Sequence, residues 1–142
     1  MKTSIAIIGA GIAGITLAWA LAPSADVTIF EKSRGLGGRM ANRRREGFTF
    51  DHGAQFITTR DPRFAAVLEQ PLQNGALKEW CRGFSGREDG HARWCGIPSM
   101  SAVPKHLATG LELELEVAVT SLQVSKSRWH AETSTGATYS SA

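Results

Sequence analysis

The fold of this chain is decided by the stretch Ile5-Ala6-Ile7-Ile8-Gly9-Ala10-Gly11-Ile12-Ala13-Gly14 near its start. The first four residues are apolar and rich in isoleucine, which is typical of a buried parallel strand. The glycines follow at once with the spacing G-x-G-x-x-G, and an apolar run that reaches about Leu21 predicts a helix. A second short apolar run, residues 27–30, ends at Glu31. The stretch therefore predicts a strand, a glycine turn, a helix and a second strand that ends in an acid.

Each glycine of this turn has its own task in a phosphate-binding unit. Gly9 permits the tight turn, Gly11 lets a phosphate approach the backbone, and Gly14 lets the helix pack close to the strand. The helix directs free N–H groups and the positive end of its dipole at that phosphate. Because strand, turn, helix and acid occur together, we predict a βαβ unit that binds a dinucleotide. A βαβ unit without a ligand is the alternative.

Glu31 narrows the choice of nucleotide. It stands where a carboxylate can accept hydrogen bonds from the hydroxyls of an adenosine ribose. A carboxylate at this position argues against a 2′-phosphate and therefore against NADP. It does not separate NAD from FAD, because both carry an adenosine ribose with a free 2′-hydroxyl.

Composition and charge are those of an ordinary globular protein. Of the 142 residues, 42% are hydrophobic and 20% are charged, and the net charge of +3 does not by itself imply nucleic acid. No apolar stretch reaches membrane-spanning length and the start is unlike a signal peptide, so we expect a cytoplasmic location. Cys81, Cys95 and the four histidines show no metal-ligand spacing, so we expect free thiols and no metal site.

A second glycine-rich segment, Gly35-Leu36-Gly37-Gly38, follows the acid. Glycines at this density argue against a helix and predict a loop whose backbone lies against another group. Arg39 comes next, and its guanidinium could bind a pyrophosphate in a bidentate manner. A flexible surface loop with solvated arginines is the alternative, but the position directly after Glu31 favours the binding role.

Periodicity and capping residues predict the elements of the remaining chain. The run Arg43-Arg44-Arg45 is interpreted as a solvated helix face; nucleic-acid binding is less favoured because the run lacks interleaved aromatic residues. Asp61-Pro62 is a typical N-cap with a first-turn proline. The predicted elements are a strand at 47–50, helices over 62–69 and 74–81, hairpin strands within 84–96, a helix from Ser99 or Ser101 to about Thr109, a strand at 111–119, and strands at 122–124, 128–132 and 137–140.

With these residues in place, the chain resembles the FAD-dependent amine oxidase superfamily and, within it, the renalase-like bacterial oxidoreductases. The resemblance covers essentially the whole chain, whereas the first glycine turn alone is shared with many Rossmann proteins. Besides that turn it rests on three motifs: Glu31-Lys32-Ser33-Arg34-Gly35-Leu36-Gly37-Gly38-Arg39-Met40, Phe50-Asp51-His52-Gly53-Ala54-Gln55-Phe56, and Gly96-Ile97-Pro98-Ser99-Met100 leading into Lys105-His106-Leu107.

The resemblance implies a noncovalently bound FAD and roles for the matching residues. Glu31 would bind the adenosine ribose, Arg39 would contact the pyrophosphate or the ribityl chain, and Val119 would pair its backbone with adenine. Gln55 and Phe56 would lie beside the isoalloxazine ring. The whole implied cofactor site comprises Gly9, Gly11, Ile12, Ala13, Gly14, Glu31, Lys32, Gly38, Arg39, Met40, Gln55, Phe56 and Val119.

The resemblance also implies a reaction. The donor would be an amine or a reduced nicotinamide that gives hydride to the flavin, and oxygen would then reoxidise the flavin. No residue is predicted as a catalytic acid or base, because in flavin oxidases the cofactor carries the reaction. No metal, nucleic acid or membrane partner is expected.

The predicted fold class is α/β, with a Rossmann-like FAD-binding βαβ unit on a parallel sheet, a β-meander and the start of an inserted substrate domain. We expect residues 1–60 and 101–142 to form the FAD-binding part and residues 61–100 to begin the insertion. Members of the family are longer, so we also expect a chain that is C-terminally truncated relative to them, with low stability and little turnover. The alternatives are a non-catalytic FAD-binding remnant and an NAD-binding dehydrogenase; the dehydrogenase is disfavoured because residues 35–39 and 51–56 have no task there.

Overall fold

The structure is a computed structural model that describes residues 2–141 and, at residue 88, the backbone alone. A strand–helix–strand unit opens the chain, and two hairpins, two further helices, a third parallel strand and a three-stranded antiparallel meander follow. The elements of the described residues are β1 (Thr3–Ile8), α1 (Ile12–Leu21), β2 (Ala25–Glu31), a 3₁₀ helix (Gly38–Met40), β3 (Asn42–Arg45), β4 (Phe48–Asp51), α2 (Pro62–Gln73), β5 (Leu77–Phe84), β6 (Arg87–Gly96), α3 (Ala102–Leu107), β7 (Glu112–Leu115), β8 (Val119–Ser125), β9 (Arg128–Thr133) and β10 (Thr138–Ser141).

The chain folds into two compact units. The first unit comprises the chain up to Gly38 together with the chain from Ala108 onward, and the second unit comprises Arg39–Leu107. The segments 1–60, 61–100 and 101–142 predicted from the sequence are defined by function rather than by compactness, and they stay a prediction.

A parallel sheet is the centre of the first unit. Its strands follow the order β1-β2-β7, with Ile5 opposite Val27 and Ile29 opposite Leu113. Helix α1 connects β1 to β2 and has the bounds predicted from the sequence. Strands β8, β9 and β10 form an antiparallel meander with the order β10-β9-β8. The mixed α/β class that the sequence predicts is confirmed.

Apolar side chains from the sheet, the helix and the meander form the core of the first unit. Ile15 and Ile29 are fully buried, and Phe30 is 2% exposed. The ring of Phe30 packs on that of Tyr139, with 4.6 Å between the ring centroids. Burial of large side chains such as these contributes roughly 1.5–3 kcal/mol each.

The single strand predicted over residues 111–119 is wrong, because the chain turns within it. Glu116 has a positive φ of 59°, which is incompatible with an extended strand. Strand β7 ends before this residue and β8 begins after it. The connection is held to the end of β2 by two hydrogen bonds, from the Glu116 amide to the Ser33 carbonyl (3.2 Å) and from the Val117 amide to the Glu31 carbonyl (3.0 Å).

The second unit combines two hairpins with two helices. Asp61 caps α2 as predicted, since its carboxylate accepts a hydrogen bond from the Arg63 amide at 2.8 Å. The helix continues to Gln73, beyond the predicted end near Glu69, and includes Pro71.

Two helical predictions within the second unit are wrong. The helix predicted over residues 74–81 is replaced by β5, which pairs antiparallel with β6 from Leu77 opposite Gly96 to Phe84 opposite Arg87. The arginine run 43–45 lies in β3 rather than on a helix, and it pairs with β4. In both segments, pairing with a partner strand determines the local conformation. The partner of β3 is β4, and the partner of β5 is β6.

A polar cluster joins the β3–β4 hairpin to the segment 99–101 that precedes α3. The side-chain amide of Asn42 donates to the hydroxyls of Ser99 and Ser101, and both serines are buried. The carboxylate of Asp51 accepts from the Met100 amide at 3.0 and 3.1 Å. Two of the family-like motifs therefore contact each other directly, through Asp51 and the residues that follow the cis Ile97–Pro98 bond.

The described part of the chain has neither a membrane-spanning helix nor a cluster of metal-ligand side chains. Across residues 2–141, every helix is too short or too polar to traverse a bilayer. Among the described side chains, no group of three or more His, Cys, Asp or Glu residues could hold a metal ion. Cys81 and Cys95 are free and half-buried.

Candidate functional site

The first glycine turn is held tightly between β1, β2 and α1. The Gly9 amide donates to the carbonyl of Phe30 at 2.8 Å, which fixes the turn to the end of β2. A Cβ atom on Gly14 would overlap the carbonyl oxygen of Gly9, so any side chain at this position would push the helix away from the turn. The task predicted for Gly14, close packing of helix and strand, is thus visible in the structure.

The start of α1 is open to an approaching anion. Gly11 is the N-cap residue, with φ −73° and ψ 170°, and it supplies no side chain to cap the helix. A Cβ atom on Gly11 would meet no atom within 4 Å. The first N–H groups of a helix need acceptors from outside the helix, and a phosphate is a suitable one. Ile12 and Ala13, also predicted as site residues, are the first two residues of this helix.

The second glycine loop packs on the first. The Gly37 amide donates to the carbonyl of Ala10 at 2.9 Å, and Gly11 and Gly37 form an isolated parallel bridge. A Cβ atom on Gly38 would lie 3.3 Å from the Cα of Gly11. The loop is therefore an ordered part of the first unit, as expected for a backbone that lies against another group.

Glu31 is the buried acid of this site, with 8% of its surface exposed. Its Oε2 accepts a hydrogen bond from the Ala10 amide and its Oε1 accepts one from the Ser33 amide, both at 2.8 Å. Burial raises the pKa of the carboxyl, but the bonds from Ala10 and Ser33 and the charge of Lys32 outweigh it, so the pKa lies below its usual value. Glu31 is thus ionised at neutral pH and keeps acceptor capacity for ribose hydroxyls.

A cavity of about 260 Å³ adjoins the carboxylate. Its walls come from the ends of β1 and β2 and from the β7–β8 connection, which contributes Val117 and Val119. The sequence-predicted residues Gly9, Glu31, Lys32 and Val119 thus line one cavity. Such a largely apolar space beside a few polar groups suits a purine ring and its ribose.

Arg39 begins the second unit, and its backbone and side chain differ in their surroundings. Its carbonyl accepts a hydrogen bond from the Ala54 amide at 2.9 Å, and a Cβ on Gly53 would overlap that same carbonyl oxygen. The guanidinium is exposed and has no hydrogen-bond or ion-pair partner among the described atoms of the chain. The backbone is therefore fixed while a strong bidentate donor stays available.

The other predicted residues of the second unit have separate surroundings. Met40 is buried, with 6% of its surface exposed. Gln55 is exposed and donates to the carbonyl of Asp51 at 2.8 Å. Phe56 belongs to an aromatic cluster with Trp80 and Phe84, at centroid distances of 6.3 and 5.6 Å. The predicted roles of these residues beside a flavin stay a prediction.

Two residues of the first unit were missed by the sequence interpretation. Ala10 is fully buried and supplies both a donor to Glu31 and an acceptor to Gly37. Ser33 donates to Glu31 from two residues further along the chain. Both bonds to Glu31 come from backbone amides, which every residue except proline carries, so the residue types at positions 10 and 33 gave no signal for them.

The first half of this chain is similar to parts of known proteins. Residues 7–71 match the profile of the family described as NAD(P)-binding Rossmann-like domain. A 4,4'-diapophytoene desaturase (4,4'-diaponeurosporene-forming) of Staphylococcus haemolyticus is 43% identical over 67 residues, which are 46% of this chain and 13% of that protein. The same enzyme of Staphylococcus aureus (strain Newman) is 45% identical over 58 residues, or 40% of this chain and 12% of that protein.

Two solved structures share the fold over 99% of the chain. A candidate protoporphyrinogen oxidase from Exiguobacterium sp. 255-15 aligns with a TM-score of 0.76 at 13% identity, and the alignment covers 58% of that protein. A putrescine oxidase with bound putrescine aligns with a TM-score of 0.71 at 11% identity and 57% coverage. The chain thus spans little more than half of these structures and about an eighth of the desaturases. The resemblance seen in the sequence is confirmed at the level of the fold and of the Rossmann-like domain.

Proposed function

We propose that this chain is the FAD-binding portion of a flavin-dependent oxidoreductase. The observation that carries the proposal is the pairing of two glycine loops, joined by the Gly37–Ala10 hydrogen bond, beside the buried carboxylate of Glu31. A Rossmann unit that binds NAD needs the first loop and the acid. The ordered second loop favours a ligand with a further contact along its pyrophosphate.

The residues of the first unit fit the adenosine diphosphate half of such a ligand. The open space at Gly11 and the uncapped start of α1 suit a phosphate, and Glu31 and Val119 line the cavity for ribose and adenine. Arg39 would add charge-assisted hydrogen bonds to the pyrophosphate. FAD, held without a covalent bond, would supply the two-electron redox chemistry, and the chain's own residues would bind and orient it.

The proposed hydride donor is an amine or a reduced nicotinamide, with oxygen as the final acceptor. The fold shared with a putrescine oxidase supports an amine, and the desaturase relatives support removal of hydrogen from carbon. These activities belong to longer proteins, and a cytoplasmic location is part of the same proposal. The alternative is a chain that binds FAD but catalyses no reaction.

Binding of NAD is the second candidate function. It is favoured by the match to the NAD(P)-binding Rossmann-like family and by Glu31, whose carboxylate can bind the ribose of either nucleotide. Calorimetric titration of the purified chain with FAD, and separately with NAD, distinguishes the two, with flavin absorbance as a second measurement. We expect FAD to bind more tightly than NAD and to show a perturbed flavin spectrum. Tight NAD binding without any uptake of FAD would contradict the proposal.

A further inference from the structure

Residues 117–119 form one wall of the cavity beside Glu31, and the start of this wall is attached to the parallel sheet. All three residues line the cavity. The Val117 amide donates to the Glu31 carbonyl at 3.0 Å, which ties the wall to the end of β2. Strand β8, which begins at Val119, belongs to the antiparallel meander instead. Ala118 is therefore the residue at which the chain passes from the parallel sheet to the meander.

Ser134, in the turn between β9 and β10, attaches this passing point to the meander. Its amide donates to the carbonyl of Ala118 at 2.8 Å, and its hydroxyl accepts a hydrogen bond from the Ala118 amide at 3.1 Å. Both polar backbone groups of Ala118 are thus bonded to one serine. The first bond comes from the backbone and is compatible with most residues at position 134, whereas the second requires an acceptor on a short side chain.

The turn that carries Ser134 is closed by bonds of its own. Thr133 is 5% exposed, and its amide and its hydroxyl both donate to the carbonyl of Ala137 at 3.0 Å. The Gly136 amide donates in turn to the Thr133 carbonyl at 3.0 Å. Because the turn is braced in this way, the hydroxyl of Ser134 meets Ala118 from a defined position.

We propose that Ser134 is a positioning residue that holds the 117–119 wall in place for the adenosine part of a nucleotide. The inference rests on the proposed nucleotide site. Since the Ala118 amide is bonded to Ser134, it is not offered to a base as a donor, and the base meets Val117 and Val119 on either side of it. Without the hydroxyl, the wall gains freedom that nucleotide binding must then remove, and this lowers the affinity.

The experiment compares Ser134→Ala with Ser134→Thr, which keeps the hydroxyl, and with Ser140→Ala as the control. Ser140 is an exposed serine of the same meander whose hydroxyl contacts His130, and neither residue lines the cavity. Calorimetry at neutral pH gives dissociation constants for ADP, which carries the base, and for inorganic pyrophosphate, which lacks it. Hydrogen exchange of the Ala118 amide, followed by NMR in the nucleotide-free protein, reports the contact with Ser134 directly.

We expect Ser134→Ala to weaken ADP binding by roughly two- to tenfold, the equivalent of one hydrogen bond, and to leave pyrophosphate binding unchanged. The Ala118 amide should exchange faster in the same variant. Ser134→Thr and Ser140→Ala should match wild type in all three measurements. If Ser134→Ala does not fold, Ser134→Cys, whose sulfur is a weaker acceptor, carries the same expectation with smaller changes.

The outcomes separate this inference from the proposed function. If the wild-type chain binds ADP but not FAD, the proposed function is contradicted, and the ADP measurements still test Ser134. Normal ADP affinity in Ser134→Ala, with faster exchange of the Ala118 amide, overturns the positioning role and leaves FAD binding by the wild type untouched. An equal loss of ADP and pyrophosphate affinity also overturns it, as does a loss that Ser134→Thr fails to restore, because both patterns indicate a purely structural serine.

Discussion

The amide of Gly37 donates a hydrogen bond to the carbonyl of Ala10, and this bond joins two glycine loops that are separated by a helix and a strand. Ala10 also donates its own amide to Glu31. One buried alanine thus connects the second loop, the first turn and the acid. Ala10 occupies the variable position between Gly9 and Gly11 of the glycine motif, and its hydrogen bonds hold the parts of the site together.

Gly14→Ala should destabilise the protein. The new Cβ would overlap the Gly9 carbonyl oxygen, so the turn or the helix must shift at a cost of about 1–3 kcal/mol. Chemical denaturation of the nucleotide-free chain measures the change. Gly35→Ala is the matched control, since its Cβ would meet no atom within 4 Å and the change should stay within about 0.5 kcal/mol. Equal effects in the two variants would contradict the packing role of Gly14.

Gly11→Ala should separate binding from stability. The φ of Gly11 suits alanine and the space around its Cβ is empty, so we expect a change in unfolding free energy below about 1 kcal/mol. A methyl group in that space would obstruct a phosphate, so FAD affinity should fall by about tenfold or more. Parallel calorimetry and thermal melts test this. Unchanged affinity would show that no phosphate approaches the backbone there.

Glu31→Gln should remove a pH-dependent contribution to stability. The pKa of Glu31 is lowered in the folded protein, so its contribution is present above the ordinary pKa of about 4.3 and is lost as the pH falls through the lower folded-state value. The difference in unfolding free energy between wild type and variant should therefore be largest near neutral pH and shrink in acid. Glu112→Gln, an exposed change on β7, is the control.

Glu31→Ala should weaken FAD binding by about 1–3 kcal/mol, the cost of leaving buried polar groups without partners. Calorimetry at neutral pH measures the loss. A normal affinity in this variant would mean that the ribose does not lie beside Glu31.

Arg39→Ala should weaken FAD binding by a similar amount, about 1–3 kcal/mol, because charge-assisted bonds are lost. Its melting temperature without nucleotide should match that of wild type, since the guanidinium is exposed and has no partner in the described part of the chain. Arg44→Ala, another exposed arginine of the second unit, should change neither quantity. Lower stability with intact FAD affinity would assign Arg39 a structural role instead.

The sequence predicted the elements whose cause is local. The helix Ile12–Leu21 follows from glycines before it and an apolar run within it, and the cap of α2 follows from Asp61 and Pro62. Strands β3 and β5 were predicted as helical because their conformation depends on partner strands. The strand is interrupted at Glu116 because this residue has a positive φ. A positive φ is usually adopted by glycine, so a glutamate at this position gave no sign of the interruption.

The residues of the candidate site also fall into two groups, those predicted from local sequence and those whose contacts depend on the folded chain. Spacing alone predicts Gly11, Gly14 and Glu31 as site residues, because each predicted task follows from a distance along the chain. The contacts of Ala10 and Ser33 depend on the directions in which backbone amides point, and those directions are set by the folded turn and by the β7–β8 connection.

The internal hydrogen bonds of Glu31 have a kinetic consequence. Since Ala10 and Ser33 already hold the carboxylate, the loss of side-chain freedom occurs during folding rather than when a ligand arrives. A nucleotide then meets a site that needs little rearrangement, so its association rate should depend mainly on diffusion and charge. Substitutions that displace the Ala10 or Ser33 amide would leave the Glu31 carboxylate free to move, and their first effect should be slower association of the nucleotide.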